Sequence, residues 1–465
     1  MEKIKELLND KKIFALENMF LILALIFGLA ITFIGTPLQE CDGWEHFIRS
    51  VDVSYGNLLA PVVILNHDGG QAVVPENFGE VTFNITKPET DEGIEFRNIL
   101  KSIKPSKKSM KMIFYAGTMS VFYYPQALGI FIGRLFGLSF YGWVTCGRLF
   151  NLLVYIILSY FAIKLTPILK NAMIVIALLP MSLYQAASFS PDSMLNGLCF
   201  LFVSLVFYYA YGKKQEISTK DVLKLGFILG FILLCKYVYA ALGLLVFLIP
   251  KEKFGDKKEY IKKFLIGIIP IIILGFIAGY AAFSAVTSGG EAAKERIAEG
   301  VASMTPFQFL LDNPVNVIRL LISSFLHKLS DFILWLDVLG SLNYPLGPLI
   351  YIVPMFIFYV FGSEVYEPHI HIDVKDKLIA IIAVFIIYAG IVIGIYIGDT
   401  TVNYAGNYIV QGVQGRYFIA ALPAIAFAFA PRKRTSENKY FSYKLLLCEF
   451  LILCIMTYFL KVNCL

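Results

Sequence analysis

The chain has 465 residues, 58% of them hydrophobic and 16% charged, where an ordinary soluble domain carries about 25% charge. Apolar runs of about 20 residues recur from end to end, which excludes a soluble globular enzyme and reads as an all-α polytopic membrane protein. The net charge of +6 gathers in short segments between those runs, the pattern of cytoplasmic loops, so it implies membrane lipids and no nucleic acid as partners.

The charged residues 1–12 precede an apolar run without a small-residue cleavage site, so 14–36 is predicted as a retained first helix. Basic segments at 3–12, 164–170, 213–224, 251–263, 375–377 and 432–444 mark cytoplasmic loops and place the N-terminus inside. The first helix then exits into a small, partly β extracytoplasmic loop region, 37–118, with short strands expected at 61–70 and 81–86. The apolar stretch 123–136 is too short for a span and reads as a re-entrant or interfacial helix. Spans are predicted at 140–165, 172–188 and 192–211. The run 223–250 begins and ends beside basic loops, and its 28 residues reach about 42 Å as helix. That length is too great for one crossing and too small for two, so a short hairpin turning near residues 236–239 is expected. A span at 264–284 leads to a second outer loop, 285–343, whose leucine-rich part suits interfacial helices on the outer leaflet. Spans at 344–361, 378–397, 414–430 and 444–461 bring the total to about 11 crossings in one transmembrane domain over 1–465.

Just after the first helix stand Asp42, Glu45 and His46. On a helical turn, spacings of three and four put Asp42 beside both others, and a carboxylate aimed at a hydroxyl is a general base. The same spacing fits a capping box with Asp42 as N-cap and Glu45 at N3. Arg148, Asp192, Lys236 and Arg416 lie in or at the mouths of predicted spans. Ionisable groups there are costly in hydrocarbon and point to function, although Arg148 and Arg416 also lie close enough to the ends to snorkel. In the tight loop 188–193, Ser190 and Pro191 suit the start of the helix that carries Asp192. The stretch 411–417 opens a helix with two glycines and the donors Gln414 and Arg416, a setting that favours anions; Arg416 can grip a phosphate bidentately. His67, His327, His369 and His371 share no ligand spacing and read as structural or solvated, and the seven cysteines form no CxxC. No cofactor is demanded. A divalent metal has no DxD motif near Asp42, yet Glu40, Asp42 and Glu45 can supply two ligands.

These residues carry a resemblance. Pro37 and Leu38 with Asp42, His46 and Phe47 come first, then Tyr124, Pro125 and Gln126 with Gly147, Arg148 and Leu149. Ser190 to Ser193, Lys236 with Tyr237, and Gly412 to Phe418 follow in order over nearly the whole chain. The chain resembles a bacterial family of polytopic proteins classed as a domain of unknown function, itself similar to GT-C type membrane glycosyltransferases. In one respect it departs: the family shows adjacent Asp and Glu, whereas here Gly43 follows Asp42 and the second acid is Glu45. The resemblance implies a GT-C-like fold in the bacterial cytoplasmic membrane with an extracytoplasmic active face. It implies transfer of a sugar from a polyprenyl-phosphate donor to a cell-envelope glycan or lipid-linked acceptor. Asp42 inherits the base position, with Glu45 and His46 beside it. Arg148, Asp192, Lys236, Tyr237, Gln414, Arg416 and Tyr417 become the residues expected to hold the lipid phosphate. Two further readings use the same charges: a transporter or flippase of lipid-linked saccharides, which predicts related halves that the sequence does not display, and a non-catalytic partner in envelope polysaccharide assembly.

Overall fold

Apolar runs decide where helices form in this chain, and Pro180 breaks one of them in two. The computed structural model describes residues 15–58, 70–82, 90–114, 119–298, 304–334, 338–339, 344–398, 402–433 and 440–464. The chain opens with α1 (Leu16–Ile34) and turns through Asp42 into α2 (Gly43–Ser54). Strand β1 (Gly70–Pro75), α3 (Thr90–Ser102) and β2 (Ser109–Phe114) follow. Next come α4 (Tyr124–Leu135), α5 (Phe140–Leu165), α6 (Lys170–Leu178), α7 (Pro180–Ala186), α8 (Asp192–Tyr211) and α9 (Thr219–Cys235). A 3₁₀ helix (Tyr237–Leu248) leads to α10 (Lys257–Ala298), α11 (Pro306–Asp312), α12 (Pro314–Leu334), α13 (Leu349–Ser363) and α14 (Val374–Gly398). A second 3₁₀ helix (Gly415–Ala421) runs into α15 (Leu422–Phe429), and α16 (Phe441–Cys464) closes the chain.

Among the described residues six helices, α1, α5, α8, α10, α14 and α16, are long and apolar enough to cross a membrane. The pair α11 and α12, bent by 116°, makes a seventh if counted as one span. The sequence leads one to expect 11 crossings; the described residues supply six or seven of sufficient length, and several of the other expected runs are shorter pieces. The run 172–188 splits into α6 and α7 at Leu179, whose extended backbone (ψ 140°) is what a residue before proline adopts. The run 344–361 is the 15-residue α13, and 414–430 is the second 3₁₀ helix joined to the 8-residue α15. Conversely, α10 continues as helix past residue 284 to Ala298.

The expected hairpin in 223–250 is present. Lys236 is its extended turn residue, and Gly243 lies against Leu229, each seven residues from the turn. The arms hold 17 and 12 residues, about 25 Å of α-helix and 24 Å of 3₁₀ helix, each short of a 30 Å hydrocarbon core.

The loop region after α1 is built differently from its sequence pattern. Residues 61–69 and 83–86 of the expected strands lie outside the described residues, and Val81 and Thr82 stand in a helical turn, Gly79–Thr82. The sheet instead pairs β1 antiparallel with β2, Gly70 opposite Phe114 and Pro75 opposite Ser109. This layer has its own core, in which Phe47, Phe78, Phe140 and Phe189 pack ring against ring at 5.1–5.8 Å. Phe189 ties that core to the start of α8. The helix α12, expected to be interfacial, packs beside α14, with the Tyr388 hydroxyl donating to Leu321 O at 2.7 Å. Ile318, Ile322 and Phe325 stay exposed along a groove between α12, α14 and α15.

Candidate functional site

Buried backbone outside helices must find partners, and the segment joining α7 to α8 finds them in side chains. Arg148 Nε donates to Ala187 O (2.5 Å), Asn151 Nδ2 to Ser188 O (2.8 Å) and Ser190 O (3.1 Å), and Gln126 Nε2 to Phe189 O (3.2 Å). The Phe189 N–H donates to Glu40 Oε1 at 2.7 Å. Ser190 Oγ accepts from the Asp192 N–H at 3.3 Å, so the first carboxylate of α8 is held at a fixed position.

The turn after α1 is fixed from the other side. The last carbonyls of a helix attract cations, and two arginines serve here. Arg148 Nη2 reaches Ile31 O (3.2 Å) and Nη1 reaches Gly35 O (3.4 Å); Arg97 donates to Phe33 O (3.0 Å) and Ile34 O (2.8 Å). Leu38 and Asp42 then take left-handed conformations, φ 60° and 59°. A Cβ on Gly43 would stand 2.8 Å from Leu38 O and 2.9 Å from Glu40 Cδ. No second acid fits beside Asp42 without moving that turn, which accounts for the glycine where the resemblance leads one to look for Glu. Asp42 occupies the N-cap of α2, but its side chain makes no capping bond. Its carboxylate is 69% exposed and faces Arg416 Nη2 at 3.8 Å.

Around this pair the chain gathers residues from four further segments. Lys236 Nζ meets Asp192 Oδ1 at 2.5 Å, and Gln185 Nε2 donates to Asp192 Oδ2 at 3.4 Å. Both cations stand by one ring: Lys236 Nζ lies 5.1 Å and the Arg416 guanidinium 5.3 Å from the centroid of Tyr417. Tyr417 O accepts from the Tyr239 hydroxyl at 2.6 Å, which locks the second 3₁₀ helix to the hairpin. His46 Nδ1 lies 3.0 Å from the Tyr123 hydroxyl. Burial holds the His46 imidazole down at about 4, against the upward pull of Asp42 and Asp192, so it is neutral at pH 7. Burial also raises the Cys41 thiol, which hydrogen-bonds Gln414. Gln414 Oε1 and Arg416 Nε are buried without a hydrogen-bond partner among the described residues. Such atoms are costly unless a ligand completes them.

Thus the structure brings together Asp42, His46, Asp192, Lys236, Gln414, Arg416 and Tyr417. It does not bring Arg148, 3% exposed and spent on carbonyls, nor Glu45, exposed on the first turn of α2. Tyr237 faces away, 55% exposed, into an apolar groove. Glu40 is buried against Phe189, and among the described residues no three His, Cys, Asp or Glu side chains gather as a metal site. Tyr123, Gln185 and Cys41 join the cluster without having been singled out in the sequence. Only Tyr123 carried a signal, as the residue before the Tyr124, Pro125, Gln126 motif that starts α4.

Two largely apolar grooves lie among the helices, and none of the cluster residues lines either; Lys251 lines the first. One, of about 580 Å³, runs between α9, the first 3₁₀ helix, α10 and α14, starting at Tyr237. The other, of about 820 Å³, lies between α12, α14 and α15, and a chamber of about 200 Å³ extends it to Phe418.

Long apolar helices around a cluster of paired charges define a polytopic membrane protein with a polar site at one end of its bundle. The chain belongs to the family described as predicted membrane protein (DUF2142), which it matches over residues 25–457. No curated protein and no solved structure matches the chain.

Proposed function

We propose that the chain is a GT-C-like glycosyltransferase of the bacterial cytoplasmic membrane. At the extracytoplasmic face it moves a sugar from a polyprenyl-phosphate donor to a cell-envelope glycan or lipid-linked acceptor. The observation that carries this reading is an exposed carboxylate, Asp42, facing Arg416, whose guanidinium shares the ring of Tyr417 with Lys236. In this reading the 11 predicted crossings comprise the full-length helices and the shorter segments that end at the site.

Asp42 takes the proton of the acceptor hydroxyl as its oxygen bonds to the anomeric carbon. The bond from that carbon to the donor phosphate breaks, and the lipid phosphate leaves with the electron pair. Arg416 and Lys236 compensate the charge that develops on the phosphate, so the leaving group needs no proton. The free Arg416 Nε–H and Gln414 Oε1 supply a donor and an acceptor for the headgroup.

The test is sugar transfer by the purified full chain in nanodiscs, from a polyprenyl-phosphate sugar to envelope glycolipids. Asp42→Asn is expected to cut the rate by about 10²–10⁴-fold, and Arg416→Ala by about 10²–10³-fold. Full activity in Asp42→Asn sinks the base assignment. Translocation of the lipid-linked sugar with no transfer product overturns the transferase in favour of a transporter.

A further inference from the structure

The layer built on β1 and β2 carries charge that no acid in it answers. Residues 101–111 hold five lysines, Lys101, Lys104, Lys107, Lys108 and Lys111, all exposed. Among the described residues none of the five makes an ion pair. The stretch is held in place by backbone bonds. Asn77 Nδ2 donates to Lys104 O (3.0 Å), the Ser106 N–H to Asn77 Oδ1 (2.7 Å) and the Glu76 N–H to Lys108 O (3.0 Å). Lys111 stands opposite Val73 in the sheet, on the face away from the buried Ala72 and Val74. Like charges held so close repel one another, and an anionic surface relieves that repulsion.

Two spanning helices set the depth of this stretch. Helix α3, whose last turn carries Lys101, is tied to the end of α1 by Arg97, which donates to Phe33 O and Ile34 O. Just past α3, Ile103 O accepts from the Phe140 N–H at 3.2 Å, at the first residue of α5. Lys101 Nζ lies 5.2 Å from the ring centroid of Tyr141, the next residue of that helix. The 26 residues of α5 reach about 39 Å, against a hydrocarbon core of about 30 Å, so its first turn stands among headgroups. Exposed Ile94, two turns before Lys101 on the same face of α3, and exposed Met110 add the apolar contacts of an interface. In a stretch as long as 37–118, lysines do not decide sidedness.

We propose that residues 101–111 form a docking surface for the headgroups of anionic phospholipids, in the leaflet on the side of Asp42. The ammonium groups meet lipid phosphates, while the lysine stems and Met110 rest against the acyl boundary. The same contact steadies the candidate site. Helix α2, which starts next to Asp42, shares a core with this layer through Phe47 and Phe78, and Asn77, which holds the lysine stretch, adjoins Phe78. The contact needs no sugar and no particular chemistry at Asp42, so it stands or falls apart from the transferase.

The test places the full chain in nanodiscs of phosphatidylcholine alone, or of phosphatidylcholine with an equal part of phosphatidylglycerol. A membrane-impermeant reagent acetylates the lysines, and peptide mass spectrometry reads each rate. Phosphatidylglycerol is expected to slow the five lysines by about threefold or more at low salt, and high salt to remove the difference. Equal rates in the two nanodiscs overturn the proposal. So does slowing by soluble polyglutamate but not by phosphatidylglycerol, which would give the patch to an acidic polymer in water. Combining Lys104→Gln, Lys107→Gln, Lys108→Gln and Lys111→Gln leaves the backbone bonds of the stretch in place. The melting temperature of that variant is expected to gain less from phosphatidylglycerol than that of the wild type, and an equal gain would also count against the proposal. If the variant does not fold, the acetylation rates of the wild type decide.

Discussion

Arg148 and Arg416 rank alike as charges at the mouths of predicted spans, yet their partners give them opposite roles. Three carbonyls, Ala187, Ile31 and Gly35, occupy Arg148. Removing it takes from Ala187 O its donor, at about 1–3 kcal/mol, while Ile31 O keeps the Gly35 N–H and Gly35 O keeps Arg97. Arg148→Ala is therefore expected to lower the melting temperature of the detergent-purified protein, while the folded fraction keeps its affinity for farnesyl phosphate. Loss of that affinity without loss of stability would instead mark Arg148 as a phosphate ligand. His46 allows a second test at this scale. Its folded value lies near 4 and its ordinary value is 6.5, so between them the unfolded chain binds a proton that the folded chain does not. Stability then rises with pH across that window and is lost as pH falls from about 6.5 to about 4, with a slope of up to about 1.4 kcal/mol per pH unit. Melting curves at stepped pH are expected to show this slope in the wild type and a shallower one in His46→Gln. Equal slopes would mean that the imidazole is not held neutral.

Helix contacts position the site as much as its own side chains do. Where α4 crosses α5, a Cβ on Gly129 would stand 2.3 Å from Cys146 O, so the two backbones touch. Helix α4 follows Tyr123, which holds His46, and carries Gln126, which holds Phe189 O. Gly129→Ala is expected to cost about 1–3 kcal/mol by overpacking. It should also weaken phosphate binding, since it shifts the partners of His46 and of the loop before Asp192. Lowered stability with unchanged binding would show that α4 can move without disturbing the cluster. The sequence makes the long helices legible because continuous apolar runs leave little choice, and Lys236 at a hairpin turn follows from run length alone. The division of labour between Arg148 and Arg416 is not legible, because the acceptors of Arg148 are backbone carbonyls 39 to 117 residues away and a carbonyl carries no residue-type signal. The contact of α12 with α14 is hidden for a related reason: Leu321 O, which Tyr388 meets, is also a backbone carbonyl. Of the expected strand 81–86, Val81 and Thr82 stand in a helical turn, and β2 is not legible because, with Lys111 inside it, it lacks a clean alternation.

Across the whole molecule the two ends of the bundle differ in what their charges do. At one end Asp42 faces Arg416 and Asp192 faces Lys236 in one cluster. At the other, charges finish helices: Lys253 Nζ donates to Tyr209 O (2.8 Å) and Ala210 O (3.2 Å) at the end of α8, and Asp221 closes a capping box with Ser218 at the start of α9. Short loops rich in Lys tend to stay in the cytoplasm, so the proposed reading puts the capped end inside and the cluster outside. Glu45, on the first turn of α2, and Glu252, beside Lys253, are both exposed and report the two ends. In a background with the seven native cysteines replaced, Glu45→Cys is expected to react with a membrane-impermeant maleimide in intact cells. Glu252→Cys should react only after permeabilisation, at least tenfold more slowly before it. Equal labelling of both from outside would contradict a bundle whose polar cluster and basic loops lie at opposite ends. Labelling of Glu252→Cys alone would turn the molecule over and put Asp42 in the cytoplasm. The cluster would then open to water-soluble nucleotide-linked sugars, and the need for a lipid-borne donor, on which the roles of Lys236 and Arg416 rest, would fall with it.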